Sequence, residues 1–126
     1  HALGRKTVAL IGDGGFMLYV GELACAVQEK ANVLMLVMND SRYGVIRNIQ
    51  DDIYGGRHCY VDLVNPDFAR LCASLQVPHF RLSDPKQTRE ALAQALQVSG
   101  PVMVEVDMTA WGSFSAKFAG PILKKD

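Results

Sequence analysis

Apolar residues are concentrated in four short runs along the chain, and more polar segments with helical spacing separate them. Within each run the apolar residues are consecutive rather than alternating, which is typical of strands buried on both faces of a sheet. Strands that alternate with helices indicate an α/β fold, a mostly parallel sheet with helices on both faces. The predicted strands cover residues 7–11, 32–38, 78–82 and 102–106.

The spacing of apolar residues predicts helices between these strands. Asn65 is the expected N-cap of one helix and Pro66 its first residue, because these residue types favour those positions. Residues 51–64 show no clear period and contain two adjacent glycines, so they are expected to form a loop. The predicted helices cover residues 16–30, 45–50, 66–75 and 84–98.

The two ends of the chain suggest an incomplete domain. The opening residues, HALGRK, are typical of the last turn of a helix that ends at Gly4. We therefore expect a strand and a helix of the same domain to lie upstream, which makes residues 1–108 a partial domain. Residues 109–126 are expected to form an irregular tail, in which Trp111, Phe114 and Phe118 cover an active site or an interface, or pack on their own domain.

Composition narrows the classes of partner. The formal net charge is zero, whereas nucleic acids and acidic membranes attract proteins with a basic excess. No apolar run reaches the roughly 18 residues of a membrane span, so neither nucleic acid nor a membrane is expected as partner. Cys25, Cys59 and Cys72 form no CxxC motif and are expected to be buried, reduced thiols of a cytoplasmic protein.

Two polar clusters, GDGG at 12–15 and NDSRYG at 39–44, follow the first two predicted strands. Ligands of open parallel sheets bind at the carboxyl ends of the strands, so both clusters are expected at one edge. Glycine amides and a helix start favour an anion such as phosphate, but Asp13 and Asp40 repel it. A Mg²⁺ ion between carboxylates and phosphate resolves this conflict, since Mg²⁺ binds such oxygen ligands together.

Each cluster alone also has a simpler interpretation. GDGG is a common turn, and an Asp after a strand is often a helix cap. The two clusters together therefore indicate a metal site more specifically than either cluster alone. The chain contains no GxxxxGK[ST] motif of a P-loop and no GxGxxG dinucleotide motif after a strand. The adjacent His58 and Cys59 on the predicted loop are not expected to bind a metal, because no second pair of ligands follows them.

The spacing of the clusters resembles that of a known family. GDG, 24 residues and then an Asn-Asp pair is similar to the signature of thiamine-diphosphate-dependent enzymes, in their diphosphate-binding domain. The segments NDSRYGVIRNIQ, VDLVNPDFARLCASL and GPVMVEVDM resemble the acetolactate synthase and 2-oxo acid decarboxylase branch. The resemblance runs from about Lys6 to Met108.

This resemblance implies roles for residues of both clusters. Asp13 and Asp40 would bind Mg²⁺ through their side chains, and Arg42 through its backbone carbonyl. Many family members carry Asn where this chain has Asp40, so an extra negative charge would lie beside the diphosphate. The expected contacts with thiamine diphosphate are Gly12, Asp13, Gly14, Gly15, Asp40, Tyr43, Gly44 and Val45.

The resemblance also implies that other domains of the enzyme carry the catalytic residues. Family enzymes activate the cofactor with a Glu of an upstream domain, often from a neighbouring subunit, so no catalytic residue is expected here. The full-length enzyme would be a homodimer or homotetramer that decarboxylates or carboligates a 2-oxo acid, and this chain alone would be inactive. One alternative is a receiver-like Mg²⁺-binding signalling domain. Receivers need a lysine at the end of a late strand, whereas the last strand here ends in Glu105 and Asp107. The other alternative is a structural remnant that has lost its ligand.

Overall fold

The computed structural model describes residues 4–111. Four parallel strands form one sheet in the order β1-β2-β4-β3. Thr7 pairs with Val33, Leu34 with Val102, and His79 with Met103, which sets the register of all three strand pairs. The strands are β1 Thr7–Gly12, β2 Val33–Asn39, β3 His79–Leu82 and β4 Val102–Asp107, as the apolar runs predicted.

Helices connect the strands and lie on both faces of the sheet, which confirms the predicted fold class. The helices are α1 Asp13–Leu18, α2 Glu22–Gln28, α3 Gly44–Tyr54, α4 Phe68–Ser74 and α5 Thr88–Gln97, the last preceded by a 3₁₀ turn at Pro85–Gln87. Helices α1, α2 and α4 cover the sheet face that carries Val37 and Met103. Helix α5 packs on the opposite face, where Ala95 contacts a cluster with Leu34 and Val104.

Three predicted helix boundaries are wrong. The helix expected at 16–30 is two helices, separated at Tyr19–Gly21, and glycine is a poor helix former. Helix α3 runs on past residue 50 to Tyr54, so the first residues of the expected loop 51–64 are helical. Gly55 stops it in the left-handed conformation, φ 60°, which glycine adopts without strain.

The third boundary concerns the start of α4. Its N-cap is Asp67 rather than Asn65, and the Asp67 carboxylate accepts a 3.0 Å hydrogen bond from the backbone N–H of Arg70. Pro66 therefore precedes the helix instead of opening it. Because the side chain of Asn65 is not used as a cap, it is available for other contacts, which are described below.

Strand β1 and helix α3 are among the elements of the described part of the chain that expose large apolar side chains. Val8 and Leu10 of the edge strand β1 are 54% and 70% exposed, on the face that α5 covers further along the sheet. Helix α3 exposes Val45, Ile46 and Ile53. The expected upstream strand and helix stay a prediction, and of the tail only residues up to Trp111 lie within the described residues, so Phe114 and Phe118 do not.

None of the helices within residues 4–111 is long and apolar enough to cross a membrane. The cysteines of this part are all free, as expected, but only Cys72 is buried. Cys25 and Cys59 are exposed, so the expectation of three buried thiols is wrong for these two. Cys25 lies in the short helix α2 and Cys59 in the segment after α3, and neither residue belongs to a core cluster of the described residues.

Candidate metal and diphosphate site

The two polar clusters meet at one edge of the sheet, as predicted. Strands β1 and β2 are neighbours, with Gly12 paired to Met38, so their carboxyl ends lie side by side. Asp13 directly follows β1 as the first residue of α1, and Asp40 directly follows β2. The alternation of apolar strands and helices therefore places both carboxylates at the edge where parallel sheets bind ligands.

The two carboxylates interact electrostatically. Asp13 is only 2% exposed, and the side chain of Asp40 is 32% exposed. Burial and then the negative charge of Asp13 raise the pKa of Asp40, while Arg42 lowers it in part. The Nε atom of Arg42 lies 3.5 Å from Oδ2 of Asp40, too far for a strong charged hydrogen bond. A cation between Asp13 and Asp40 would relieve this repulsion.

A hydrogen-bonded chain continues from Asp13 across the sheet. Asn65 donates from Nδ2 to Oδ2 of Asp13 over 2.5 Å and to Oδ1 of Asn39 over 3.1 Å. Asn39 donates in turn to Oε1 of Glu105 over 2.8 Å. On the far side, Nε2 of His79 lies 2.9 Å from Oε2 of Glu105. We call Asp13, Asn65, Asn39 and Glu105 the polar relay.

The sequence patterns predict no role in the site for Asn65, Asn39 or Glu105. The one available signal was Glu105, a carboxylate inside the apolar run VMVEVD, and it is 3% exposed. Asn39 belongs to the Asn-Asp pair, but the resemblance implies no role for it. The residue type of Asn65 favours a helix cap, and its partner Asp13 is 52 positions away in the chain, so no local pattern indicates their contact.

Backbone pairing brings Asn65 to the site. The N–H of Leu63 donates to the carbonyl of Ser41, and the N–H of Tyr43 donates to that of Val61, both over 2.8 Å. These two bonds flank an antiparallel bridge between Arg42 and Asp62. Residues 61–63 are thereby fixed beside the NDSRYG cluster, and the chain then carries Asn65 over the carboxyl ends of β1 and β2.

Two glycines of the clusters permit close approach. A Cβ on Gly14 would come closer than 3.0 Å to ring carbons of Tyr43, so the tyrosine ring packs directly on the backbone of α1. A Cβ on Gly44 would lie 3.3 Å from Oδ2 of Asp40, which places that carboxylate against the start of α3. Gly12 has open space on its Cα, and Gly15 faces Ile11.

The start of α3 offers backbone N–H groups. The amide of Tyr43 is already bonded to Val61, but no side chain caps the first turn that Gly44 and Val45 open. Helix N-termini with free amides attract anions. The positions expected to contact a diphosphate thus surround the carboxylate pair: Gly12 to Gly15 on one side, Tyr43 to Val45 on the other.

The donor set suits a hard cation with few protein ligands. Within residues 4–111, no group of three or more His, Cys, Asp or Glu side chains could hold a metal ion. A cation at Asp13 and Asp40 would therefore need backbone carbonyl, water or phosphate oxygens as further ligands, which is how Mg²⁺ commonly binds. The residues present fit Mg²⁺ with a diphosphate. Outside this site, Nε2 of His58 lies 2.6 Å from Oδ1 of Asp51, and the expectation that His58 binds no metal stays a prediction.

Comparison with known proteins agrees with this geometry. Residues 1–106 match the family model described as thiamine pyrophosphate enzyme, C-terminal TPP binding domain. Acetolactate synthase of Bacillus subtilis (strain 168) is 35% identical over 103 residues, which are 82% of this chain and 18% of that protein. Acetolactate synthase isozyme 3 large subunit of Escherichia coli (strain K12) is 35% identical over 115 residues, 89% of this chain and 20% of that protein.

A further relative is the acetolactate synthase large subunit of Buchnera aphidicola subsp. Acyrthosiphon pisum (strain APS), 37% identical over 111 residues, 85% of this chain and 19% of that protein. The chain thus spans about a fifth of the length of these curated relatives. The chain belongs to the thiamine pyrophosphate enzymes, as a C-terminal TPP-binding domain of the acetolactate synthase-like kind.

Proposed function

We propose that this chain binds Mg²⁺ and the diphosphate of thiamine diphosphate in an enzyme that decarboxylates or carboligates 2-oxo acids. The observation that carries the proposal is the pair of neighbouring carboxylates. The pKa of Asp40 is raised by burial and by the charge of Asp13, so both groups ionise together only at a cost in the absence of a cation. A divalent ion turns that repulsion into ligation.

Each cluster residue has a task in this proposal. The side chains of Asp13 and Asp40 and the backbone carbonyl of Arg42 bind the metal. The backbone N–H groups that open α1 and α3 would donate to phosphate oxygens. The residues that would contact the diphosphate are Gly12, Gly14, Gly15, Tyr43, Gly44 and Val45.

The carbon chemistry belongs to the cofactor when it is bound, and the protein binds and orients it. Asp13 is suited to hold one end rigidly, because it is buried and hydrogen-bonded to Asn65. Asp40 adds a second negative charge, and Mg²⁺ would offset it. Catalytic groups that act on the other end of the cofactor are expected outside this chain.

The relatives named above are acetolactate synthases, which supports a 2-oxo acid as the substrate class. Because the chain spans about a fifth of their length, substrate selection would involve other parts of the whole protein. We further propose a homodimer or homotetramer in the cytoplasm, without nucleic acid or membrane partners. The zero net charge supports the absence of a nucleic acid partner.

One alternative is no longer tenable. Membership of the thiamine pyrophosphate enzymes is incompatible with a receiver-like signalling domain. A family member that has lost its ligand remains the second candidate function. It differs from the proposal in a single property, because a remnant would not bind thiamine diphosphate in a Mg²⁺-dependent way.

Titration calorimetry with thiamine diphosphate, in the presence and absence of Mg²⁺, tests the proposal. The parent protein should bind the cofactor only with Mg²⁺, and Asp13→Ala should abolish this binding. The matched control is Asp84→Ala, because Asp84 also follows a parallel strand but caps a 3₁₀ turn through the N–H of Lys86. Binding that is unchanged in Asp13→Ala, or absent from the parent, would contradict the proposed function.

A further inference from the structure

The two buried acids of the described residues are connected. Asp13 and Glu105 are 2% and 3% exposed, and they stand at opposite ends of the polar relay. Asn65 and Asn39 supply every link between them. A carboxylate in a strand core costs free energy unless it is fully hydrogen-bonded, so Glu105 calls for a reason beyond packing.

The direction of each link in the relay follows from chemistry. An ionised carboxylate only accepts hydrogen bonds, so Asn39 must turn its NH₂ group toward Glu105. The Oδ1 atom of Asn39 then faces the opposite way, where it accepts from Asn65 and from the backbone N–H of Ser41. Asn65 in turn has one remaining N–H, which it donates to Asp13.

Glu105 is well held at its own end. Its side chain shares the sheet face with Val37 and Met103, below α4, because alternate residues of a strand point to one face. Burial would raise its pKa, but hydrogen bonds from His79 and Asn39 and the charge of Arg81 leave that pKa lower than usual. Glu105 is therefore a fixed, charged acceptor at neutral pH.

We propose that Glu105 is a positioning residue for the metal site: through Asn39 and Asn65 it fixes the orientation of Asp13, leaving one oxygen of that carboxylate free for a cation. This inference rests on the Mg²⁺ site proposed above. Replacing the carboxylate of Glu105 by an amide removes the acceptor-only group at that end of the relay. The side chain of Asn39 can then reverse, so Asn65 loses its second acceptor and holds Asp13 less rigidly.

The test measures metal binding alone, with Mn²⁺ as a probe that accepts the same oxygen ligands as Mg²⁺. Free Mn²⁺ is quantified by electron paramagnetic resonance during titration of the parent protein and its variants. Glu105→Gln, which keeps the shape of the side chain, should weaken Mn²⁺ binding by about 10- to 100-fold. The control Asp84→Asn removes one negative charge at the cap of the 3₁₀ turn, where Asp84 accepts from the N–H of Lys86 and contacts no relay residue, and it should change affinity less than about threefold.

A double-mutant cycle separates positioning from a purely structural role. If Glu105 acts through Asn65, the double variant Glu105→Gln/Asn65→Ala should bind Mn²⁺ about as weakly as Asn65→Ala alone. Multiplied losses, or a double variant with no measurable binding where Asn65→Ala still binds, would show independent effects and overturn the inference.

The same titrations distinguish failure of the positioning role from failure of the proposed metal site. Parent-like binding by Glu105→Gln, together with loss of binding in Asp13→Asn, would reject the positioning role and leave the proposed site intact. Absence of Mn²⁺ binding by the parent, or unchanged binding by Asp13→Asn, would reject the site itself and the positioning role with it.

Discussion

Asn65 and Asp13 are 52 positions apart in the chain, yet the Nδ2 atom of Asn65 lies 2.5 Å from Oδ2 of Asp13. This contact occupies one oxygen of a carboxylate that is almost fully buried. It also ties the segment before α4 to the start of α1, with Asn39 of β2 held by the same NH₂ group. A side chain outside the two sequence clusters therefore contributes to the geometry of both.

Loss of this contact should be costly. Asn65→Ala leaves a buried carboxylate oxygen and the Oδ1 atom of Asn39 without this donor, which costs about 1–3 kcal/mol for a buried polar group. We expect the free energy of unfolding in urea to fall by that amount. Gln94→Ala is the control, since Gln94 is an exposed amide on α5, and its effect should stay within about 0.5 kcal/mol. Equal effects of the two changes would contradict the assignment.

Gly14 offers a steric prediction. In Gly14→Ala the new methyl group collides with the ring of Tyr43, and relieving such overpacking typically costs about 1–3 kcal/mol. Gly12→Ala is the matched control in the same cluster, because Gly12 has φ −73° and open space at its Cα. It should be neutral or stabilise by about 0.4–1 kcal/mol. Thermal unfolding of both variants without ligand measures the difference, and the opposite ranking would contradict the observed packing.

Asp40 predicts a pH dependence. Because the pKa of Asp40 is raised in the folded state by burial and by Asp13, its contribution to stability is fully present below the ordinary pKa of Asp. That contribution is lost as the pH rises through the raised value. Asp40→Asn should therefore stabilise the metal-free protein at neutral pH, and the gain should vanish in acid. Chemical unfolding of both forms at a series of pH values tests the sign.

The same variant separates charge from ligation. Asn keeps an oxygen ligand but removes the negative charge, so Mg²⁺ affinity measured without cofactor should fall in Asp40→Asn. Affinity for thiamine diphosphate in saturating Mg²⁺ should fall little or rise, since one charge beside the diphosphate is gone. A large loss of cofactor binding would show that the carboxylate itself is required.

The strands and the meeting of Asp13 with Asp40 could be predicted, because apolar runs and strand-end positions are local features of the sequence. Because neighbouring parallel strands have their carboxyl ends side by side, residues that follow two such strands lie close together. Asn65 could not be assigned, since its partners are far away in the chain and a local interpretation as N-cap was available. Asp67, two residues later, satisfies the helix instead.

Helices were predicted less well for a related reason. The end of α3 is decided by Gly55, whose left-handed conformation becomes visible only in the folded chain. The apolar residues Val45, Ile46 and Ile53 of α3 are exposed, so no core contact defines the length of this helix. Apolar periodicity indicates a helix that buries one face, and it predicts the bounds of a helix without a buried face less well.

The cysteines predict a pattern of reactivity. Burial raises the pKa of Cys72 to about 11, with a contribution from the charge of Glu105, so little thiolate is present at pH 8. Cys25 and Cys59 are exposed. An aromatic disulfide reagent should therefore modify two thiols quickly in the native protein and the third only on unfolding. In Cys72→Ala the two fast reactions should remain and the slow one disappear; three equally fast reactions in the parent would contradict the burial of Cys72.

The last prediction concerns the purified 126-residue chain on its own, which should not turn over 2-oxo acids. The proposed site holds the diphosphate end of the cofactor, whereas the acid that activates its reactive end is expected from a neighbouring domain or subunit. The apolar residues exposed on β1 and α3 support this expectation, because surfaces of this kind commonly contact other protein.

The chain should therefore self-associate in sedimentation experiments as its concentration rises, while still binding thiamine diphosphate with Mg²⁺. Carbon dioxide release from a panel of 2-oxo acids should not exceed that of the free cofactor with Mg²⁺. The control Asp13→Ala should lose cofactor binding and show the same background rate, which ties any residual signal to free cofactor. Turnover above this background, by a sample whose mass shows only these residues, would place the activating group within the chain and refute the prediction.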